Sequence, residues 1–311
     1  MKITVAIPCY RSAKTLPVVV SRIKQAVQAE EGYEYQIVLV NDCSPDNTFE
    51  VIRQLCSEDP NIVGVNMSRN FGQAHARFAA IPYIEGDIAV YMDDDGQHPV
   101  ERMFELIHKV EEGYDLVSAN FEKQSTKWTS RLTSKMAAKI YVAMGKRPEG
   151  AVSSSYFAIN RMCIDNLKNY HSPFPSIFGY LYQITKNITN IKFEHHERLS
   201  GRSGYNFKKR FMLWLNGFVN FSISPLRFSA LLGVFSGALG FLLALIMIIR
   251  KLINPAILMG YTSLISVILV MSGIIMILLG LIGEYVGRIY LVLSDQPQYI
   301  VRETINVESK E

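Results

Sequence analysis

Residues 86–99 read Gly-Asp-Ile-Ala-Val-Tyr-Met-Asp-Asp-Asp-Gly-Gln-His-Pro, an apolar run of strand length that ends in three carboxylates, a glycine and a proline. Asp93 and Asp95, two residues apart, could share one hard cation such as Mg2+ or Mn2+, because oxygen ligands suit hard ions. Buried parallel strands read as continuous apolar runs, and α/β proteins bind ligands beyond the carboxyl ends of their strands. A metal at such an edge points to chemistry on phosphates. The competing reading is a merely solvated acidic turn. An EF-hand is excluded: counting from Asp93, His98 falls where the loop needs glycine and Phe104 where it needs a bidentate glutamate.

Positioning these carboxylates requires a sheet, and the preceding chain supplies one. Strand-like segments over 3–7, 36–40, 62–66, 88–92 and 116–119 alternate with helical stretches over 15–29, 48–58, 73–83 and 100–112. Asn47-Thr48 and Pro99 mark helix starts. The alternation predicts an α/β domain with a mostly parallel, doubly wound, Rossmann-like sheet. No Gly-x-Gly-x-x-Gly follows the first strand; Pro8-Cys9-Tyr10-Arg11-Ser12 stands there instead. Phosphates are therefore not cradled by a glycine-rich turn, and a metal must neutralise them. Asp42 lies at another strand's carboxyl end, where it could accept hydrogen bonds from a ribose or base, or simply form an Asx-turn before Thr48.

Beyond residue 120 the composition changes. A basic helix over 130–144 carries Arg131, Lys135 and Lys139, strand candidates lie at 153–159 and 188–195, and 198–205 reads as a flexible basic loop. Segment 207–221 mixes Phe207, Phe211, Trp214, Leu215, Phe218 and Phe221 with Lys208–Arg210, which suits a helix in the headgroup region or an ordinary amphipathic core helix. Hydrophobic residues make up 49% of the 311-residue chain, concentrated in its last third. The run 228–249 lacks charge for about 22 residues, enough to cross a bilayer core about 30 Å thick. A second uncharged run, 254–283, has its membrane part at 263–283. The chain is thus read as a membrane protein with a two-helix hairpin. Lys208, Lys209, Arg210 and Arg227 precede the first span and Arg288 follows the second, against Arg250 and Lys251 between them. That balance places both termini in the cytoplasm. Met1-Lys2 passes at once into 3–7 and Pro8, too short for a secretory signal, so the first two-thirds is expected to stay where it is made.

The expected organisation is a catalytic domain over 1–206, an interfacial amphipathic segment over 207–227, the hairpin over 228–290 and a cytoplasmic tail over 291–311, polar and mobile after Pro297. The four cysteines lack metal spacing and read as reduced and structural. A net charge of +4 is modest, and no nucleic-acid partner is expected. Small residues in the hairpin (Gly233, Gly237, Gly240, Gly273, Gly280) permit packing between protomers, and a homo-oligomer is expected.

A sheet-edge metal, a basic loop and a membrane-surface helix converge on one task, in which a cytosolic phosphorylated donor meets an acceptor held in the membrane. The set Ile7-Pro8-x-Tyr10, Asn41-Asp42-x-Ser44-x-Asp46-x-Thr48, Ser68-Arg69-Asn70-Phe71-Gly72, Asp93-x-Asp95-x-Gln97-His98-Pro99 and Arg198-x-x-Gly201-x-Ser203 resembles the family 2 glycosyltransferases of GT-A fold. More narrowly it resembles the polyprenyl-phosphate glycosyltransferases, relatives of dolichol-phosphate mannose synthase. Residues 282–290, Ile-Gly-Glu-Tyr-Val-Gly-Arg-Ile-Tyr, resemble the bacterial two-span branch that glycosylates undecaprenyl phosphate.

The resemblance implies that Pro8, Tyr10 and Asp42 line the nucleotide pocket and that Asp93 faces the diphosphate. Asp95 and Gln97, with Asp93 as a further ligand, would hold Mg2+ or Mn2+. Arg198, with Arg131, Arg202 and Ser203, would bind donor or acceptor phosphates, and Asp93, Asp95 and Arg198 would be the catalytic set. It further implies a nucleotide-sugar donor (a UDP-sugar favoured), a polyprenyl-phosphate acceptor, inversion, and a multi-pass protein of the bacterial plasma membrane. The acceptor phosphate attacks the anomeric carbon directly; being already anionic at pH 7, with a second pKa of about 6, it requires no general base.

The chain departs from the family pattern at Arg11-Ser12 (usually Asn-Glu), at Asn41 and Cys43 (usually Asp and Gly), at Gly204 (often lysine), at Phe121 (often arginine) and at Ser155 (often acidic). Two alternatives are weighed: a processive polysaccharide synthase, whose Gln-x-x-Arg-Trp string is absent, and a non-catalytic membrane scaffold with a degenerate transferase domain. His195-His196 would point to opposite faces of a strand, and His75 and His98 read as capping or packing residues.

Overall fold

A computed structural model describes residues 1–121, 148, 150–193, 224–254, 260–294 and 296–307. The chain divides into two compact units, Met1–Arg210 with Pro297–Glu311, and Phe211–Gln296.

In the first unit, β1 (Lys2–Cys9), β2 (Glu34–Asn41), β3 (Ile62–Met67), β4 (Ile88–Tyr91) and β5 (Leu116–Phe121) occupy the five predicted strands. The helices between them are α1 (Leu16–Gln28), α2 (Thr48–Glu58), α3 (Gln73–Ala80) and α4 (Met103–Glu111). The third ends sooner than its pattern suggests: Ile81–Tyr83 forms a 3-10 turn around Pro82, which has no N–H to continue the helix. Val100–Arg102 forms another such turn after Pro99. β6 (Phe157–Asn160), α5 (Arg161–Lys168), α6 (Ile177–Ile184) and β7 (Ile188–Phe193) follow. α5 and α6, two short helices of eight residues each, are additions to the elements expected from the sequence.

Eight strands form one sheet in the order β7-β5-β6-β4-β1-β2-β3-β8, where β8 is Val301–Ile305. The β3-β2-β1-β4 block is parallel throughout, and β5 and β7 are also parallel. β6 runs antiparallel between β4 and β5, and β8 antiparallel along β3. Alternation along β1 sends Ile3, Val5 and Ile7 to a core shared with α1, α2 and α4, and Ala6 to a second core shared with α3, α5 and α6. The sheet is covered on both faces, as expected for parallel strands.

The tail differs from expectation. Residues 301–305 are a paired edge strand, and the chain reaches them only after passing through the second unit. In that unit, α7 (Ser224–Ile253) has 30 residues and α8 (Tyr261–Leu293) has 33. Among the described residues, Val270–Leu293 is long and apolar enough to cross a membrane, and Ser229–Leu242 is a shorter apolar stretch. Within α8, Arg288 donates to Glu284 at 2.8 Å one turn away, which neutralises both charges.

The expected helix over 130–144, the loop 198–205 and the segment 207–221 lie outside the described residues.

Candidate active site

β1 and β4 are neighbours whose connections leave toward opposite ends of the sheet, so a crevice opens at their carboxyl ends. The β1–β4 ladder ends at Ala6↔Tyr91, with one further bond from the Met92 N–H to the Ala6 carbonyl. Two residues on, the buried Pro8 has no N–H with which to extend it. The crevice thus starts where β1 stops pairing with β4, while its pairing with β2 runs on to Cys9. Tyr10 follows, 44% exposed, with the Arg11 guanidinium 5.4 Å from its ring centre.

The three aspartates after β4 have three different destinations. Asp93 turns to α3: its Oδ1 accepts from Gln73 Nε2 at 2.7 Å and from Arg77 Nη2 at 3.3 Å. Gln73 and Arg77 are four apart and share a helix face. Asp94 turns to β1, where its Oδ2 accepts the Tyr10 N–H at 2.9 Å, while its carbonyl accepts the Thr15 hydroxyl at 2.7 Å. Burial raises the Asp94 carboxyl to about 6; the Tyr10 N–H opposes the rise and the neighbouring Asp93 charge adds to it. Asp95 closes only its own turn, accepting the Gln97 N–H at 3.1 Å. Gly96, with φ +72°, reverses the chain, and its carbonyl accepts from Arg22 of α1 at 3.3 Å.

His98 is buried and anchors the turn from below. Its Nδ1 accepts the Asp93 N–H at 3.1 Å, its Nε2 lies 3.2 Å from Ser155 Oγ, and its ring stacks on Tyr156 and Phe121 at 4.9 and 5.7 Å. Phe121, an apolar departure from the family pattern, and Ser155, which lacks the usual acid, are therefore both partners of this histidine.

Asp42 is buried, and its two oxygens accept the N–H groups of Phe71 and Gly72 at 2.7 and 2.8 Å, at the start of α3. Burial raises its pKa and those two bonds oppose the rise. Each carboxylate oxygen retains a second lone pair for a ligand. Cys43 and Arg11, at the ends of β2 and β1, both adopt left-handed backbone, with φ 49° and 57°.

Pro8, Tyr10, Asp42, Asp93, Asp95 and Gln97 thus all lie at the carboxyl end of the parallel block. Arg131, Arg198, Arg202 and Ser203 lie outside the described residues. Gln73, Arg77, Asp94 and His98 belong to the same site although the sequence reading gave them no such role. A signal for the first two existed in their i, i+4 spacing just after Asn70-Phe71-Gly72. Cys9, Cys56 and Cys163 are buried and all four thiols are free, as expected.

Among the described residues, no group of three or more His, Cys, Asp or Glu is placed to hold a metal. Asp93 is already engaged by Arg77, whereas Asp95 keeps acceptor capacity. That donor set fits a hard cation that brings most of its ligands with it as phosphate oxygens and water, the usual habit of Mg2+. It does not fit an all-protein cage.

The fold is an α/β domain whose sheet has its switch point at the β1/β4 carboxyl ends, followed in the chain by two long apolar helices. Residues 4–174 match the model of glycosyl transferase family 2, and residues 224–289 match that of the GtrB C-terminal hairpin. The chain belongs to glycosyltransferase family 2 and is a glycosyltransferase. The SfII prophage-derived bactoprenol glucosyl transferase of Shigella flexneri is 32% identical over 309 residues, covering 98% of each chain. The undecaprenyl-phosphate 4-deoxy-4-formamido-L-arabinose transferase of Proteus mirabilis is 30% identical over 311 residues, covering 99% of this chain and 95% of that one. Glucosyl-3-phosphoglycerate synthase from Mycobacterium tuberculosis, solved with Mn2+, UDP-glucose and phosphoglyceric acid, shares the GT-A fold. Its TM-score is 0.51 at 18% identity, over 72% of this chain and 79% of that one.

Proposed function

We propose that this protein transfers a sugar from a nucleotide sugar, with a UDP-sugar favoured, to undecaprenyl or another polyprenyl phosphate, inverting the anomeric centre. The observation that carries this reading is the meeting of Tyr10, Asp42 and the Asp93–Gln97 turn at the β1/β4 crevice of a chain that continues into an apolar hairpin. Full-length relatives named for bactoprenol and undecaprenyl-phosphate transfer support the acceptor class.

In this reading Tyr10 and Asp42 receive the nucleoside, and Asp95 with Gln97 holds Mg2+ or Mn2+ against the diphosphate. The ion supplies charge stabilisation to the departing nucleoside diphosphate. Asp93, fixed by Gln73, Arg77 and the His98-held backbone, orients the donor beside that diphosphate. Arg198, Arg131, Arg202 and Ser203 bind phosphates; guanidinium forks suit this because they meet phosphate oxygens bidentately. An acceptor phosphate oxygen bonds to the anomeric carbon as the bond to the diphosphate breaks on the opposite face. Positioning, rather than deprotonation, is what such an acceptor needs.

Both α7 and α8 cross the bacterial plasma membrane in this reading, with the catalytic unit and both termini cytoplasmic. Helices of 30 and 33 residues, at about 1.5 Å per residue, exceed a hydrocarbon core of about 30 Å. The testing experiment incubates purified protein with undecaprenyl phosphate, Mn2+ or Mg2+, and a panel of labelled nucleotide sugars. An organic-soluble labelled product that disappears with EDTA supports the assignment and identifies the sugar. No product from any donor, with nucleotide binding intact, moves the acceptor to another class.

A further inference from the structure

β8, reached only after the hairpin, is wired to the loop that follows β2. In the sheet register Asn41 of β2 lies beside Asn66 of β3, and Asn66 beside Glu303 of β8. Their side chains form a continuous row. The Ser44 N–H donates to Asn41 Oδ1 at 3.2 Å, Asn41 Nδ2 donates to Asn66 Oδ1 at 2.9 Å, and Asn66 Nδ2 donates to Glu303 Oε1 at 3.1 Å. Every donor points toward the same terminal carboxylate, so each bond polarises the next. Asn41 and Asn66 are 3% and 8% exposed, so breaking the row leaves buried amides unsatisfied.

The row ends at the candidate site. Ser44 Oγ accepts the N–H of Arg11 at 3.1 Å, which joins the β2 loop to the left-handed turn after β1. A second connection runs beside it. The Ser68 N–H donates to the Ile300 carbonyl at 2.9 Å and Arg302 donates to the Ser68 carbonyl at 3.2 Å. Three and four residues beyond Ser68, the N–H groups of Phe71 and Gly72 hold the Asp42 carboxylate. The strand therefore grips residues 42–44 by two routes.

We infer that β8 is a positioning element of the donor site, with Glu303, Asn66 and Asn41 as positioning residues that set the Asp42–Ser44 loop for the nucleotide. The inference rests on the assignment of that loop to the donor. Glu303 also meets Arg53 of α2 at 3.3 Å, a bond outside the row that provides an internal control.

The test uses full-length protein in detergent, with UDP, GDP and dTDP each titrated calorimetrically in the presence of Mn2+. For the nucleotide that wild type binds, E303A should weaken binding about 5-fold, a coupling of ordinary size between two linked sites. N41D should do the same, because an aspartate has no N–H to give Asn66. E303Q, which still accepts from Asn66, should return to within about 2-fold of wild type, and R53A should not differ from it. In turnover, donor KM should rise in E303A while kcat and acceptor KM hold. Wild-type binding by E303A and N41D overturns the inference. So does an equal loss in E303Q or R53A, or a fall in melting temperature with all kinetic constants moving together. Absence of binding by wild type for every nucleotide rejects the donor assignment itself, and the inference with it.

Discussion

The two ends of the same strands are built on opposite rules. At the amino end the polar groups close on one another. The Thr4 hydroxyl donates to Gln36 Oε1 at 2.8 Å, the Gly86 N–H donates to Thr4 Oγ1 at 2.9 Å, and the Glu85 N–H donates to the same Gln36 oxygen at 3.1 Å. Lys2 pairs with Glu85, and the Asp59 carboxylate takes both Lys24 at 2.5 Å and the Tyr35 hydroxyl at 2.6 Å. At the carboxyl end Arg11 and Cys43 hold left-handed backbone without being glycines, Asp94 is a desolvated carboxyl, and Asp95 retains acceptor capacity. The amino end also has a left-handed residue, but it is Asn306, a type that tolerates that region and whose amide bonds the Cys56 and Ile62 carbonyls. One end is self-sufficient; the other carries strain and incomplete polar satisfaction, the usual marks of a place where a ligand completes the structure.

Breaking the comparison at the ligand end should cost activity without costing the fold. Asp95→Asn keeps an oxygen for the Gln97 N–H but removes the charge that would face a cation, so turnover should fall at least about 100-fold. The melting temperature should stay within about 1 °C, since no hydrogen bond is lost. Label transfer to undecaprenyl phosphate, measured beside a thermal melt, checks both. Retention of more than about a tenth of wild-type turnover would remove Asp95 from the metal role, because an essential charge stabiliser cannot be so dispensable.

At the amino end the expectation reverses. A Cβ on Gly86 would lie 2.7 Å from the Thr4 nitrogen, 2.8 Å from the Ile3 carbonyl carbon and 2.8 Å from the Lys2 oxygen. All three are backbone atoms of β1, so no side chain can swing aside. Gly86→Ala should destabilise the catalytic unit by roughly 3 kcal/mol, with the surviving folded fraction keeping wild-type KM for the donor. A thermal melt in detergent reads the loss. A rise in donor KM at unchanged melting temperature would show that the two ends are not independent.

How far each end could be read from sequence follows the same division. The strands β1 to β5 were legible because both faces are covered, so their apolar runs are unbroken, and the aspartates stood out because they end such a run. β8 was not, and the reason is visible in Val301-Arg302-Glu303-Thr304-Ile305. Val301 packs against one core and Ile305 against the other, a register break separates them, and between them Glu303 pairs with Asn66 and Arg53, so no apolar alternation marks the strand. The division of labour among Asp93, Asp94 and Asp95 was equally hidden, because it depends on which of α3, the β1 loop or the turn's own backbone each carboxylate meets.

The smallest effect is also the most direct measure of strain at the ligand end. Cys43 holds φ 49°, a conformation that costs an L-residue about 1 kcal/mol or more and glycine nothing. Glycine in turn loses more backbone freedom on folding, so Cys43→Gly should stabilise by a net of only about 0.5 kcal/mol. Cys43→Val, with a β-branched side chain that tolerates this region least, should destabilise by about 2 kcal/mol. The pair separates strain from the loss of the thiol, since both variants lack it. If the two melt together on either side of wild type, the left-handed turn after β2 stores no strain, and the contrast between the two ends of the sheet then rests on the aspartates alone.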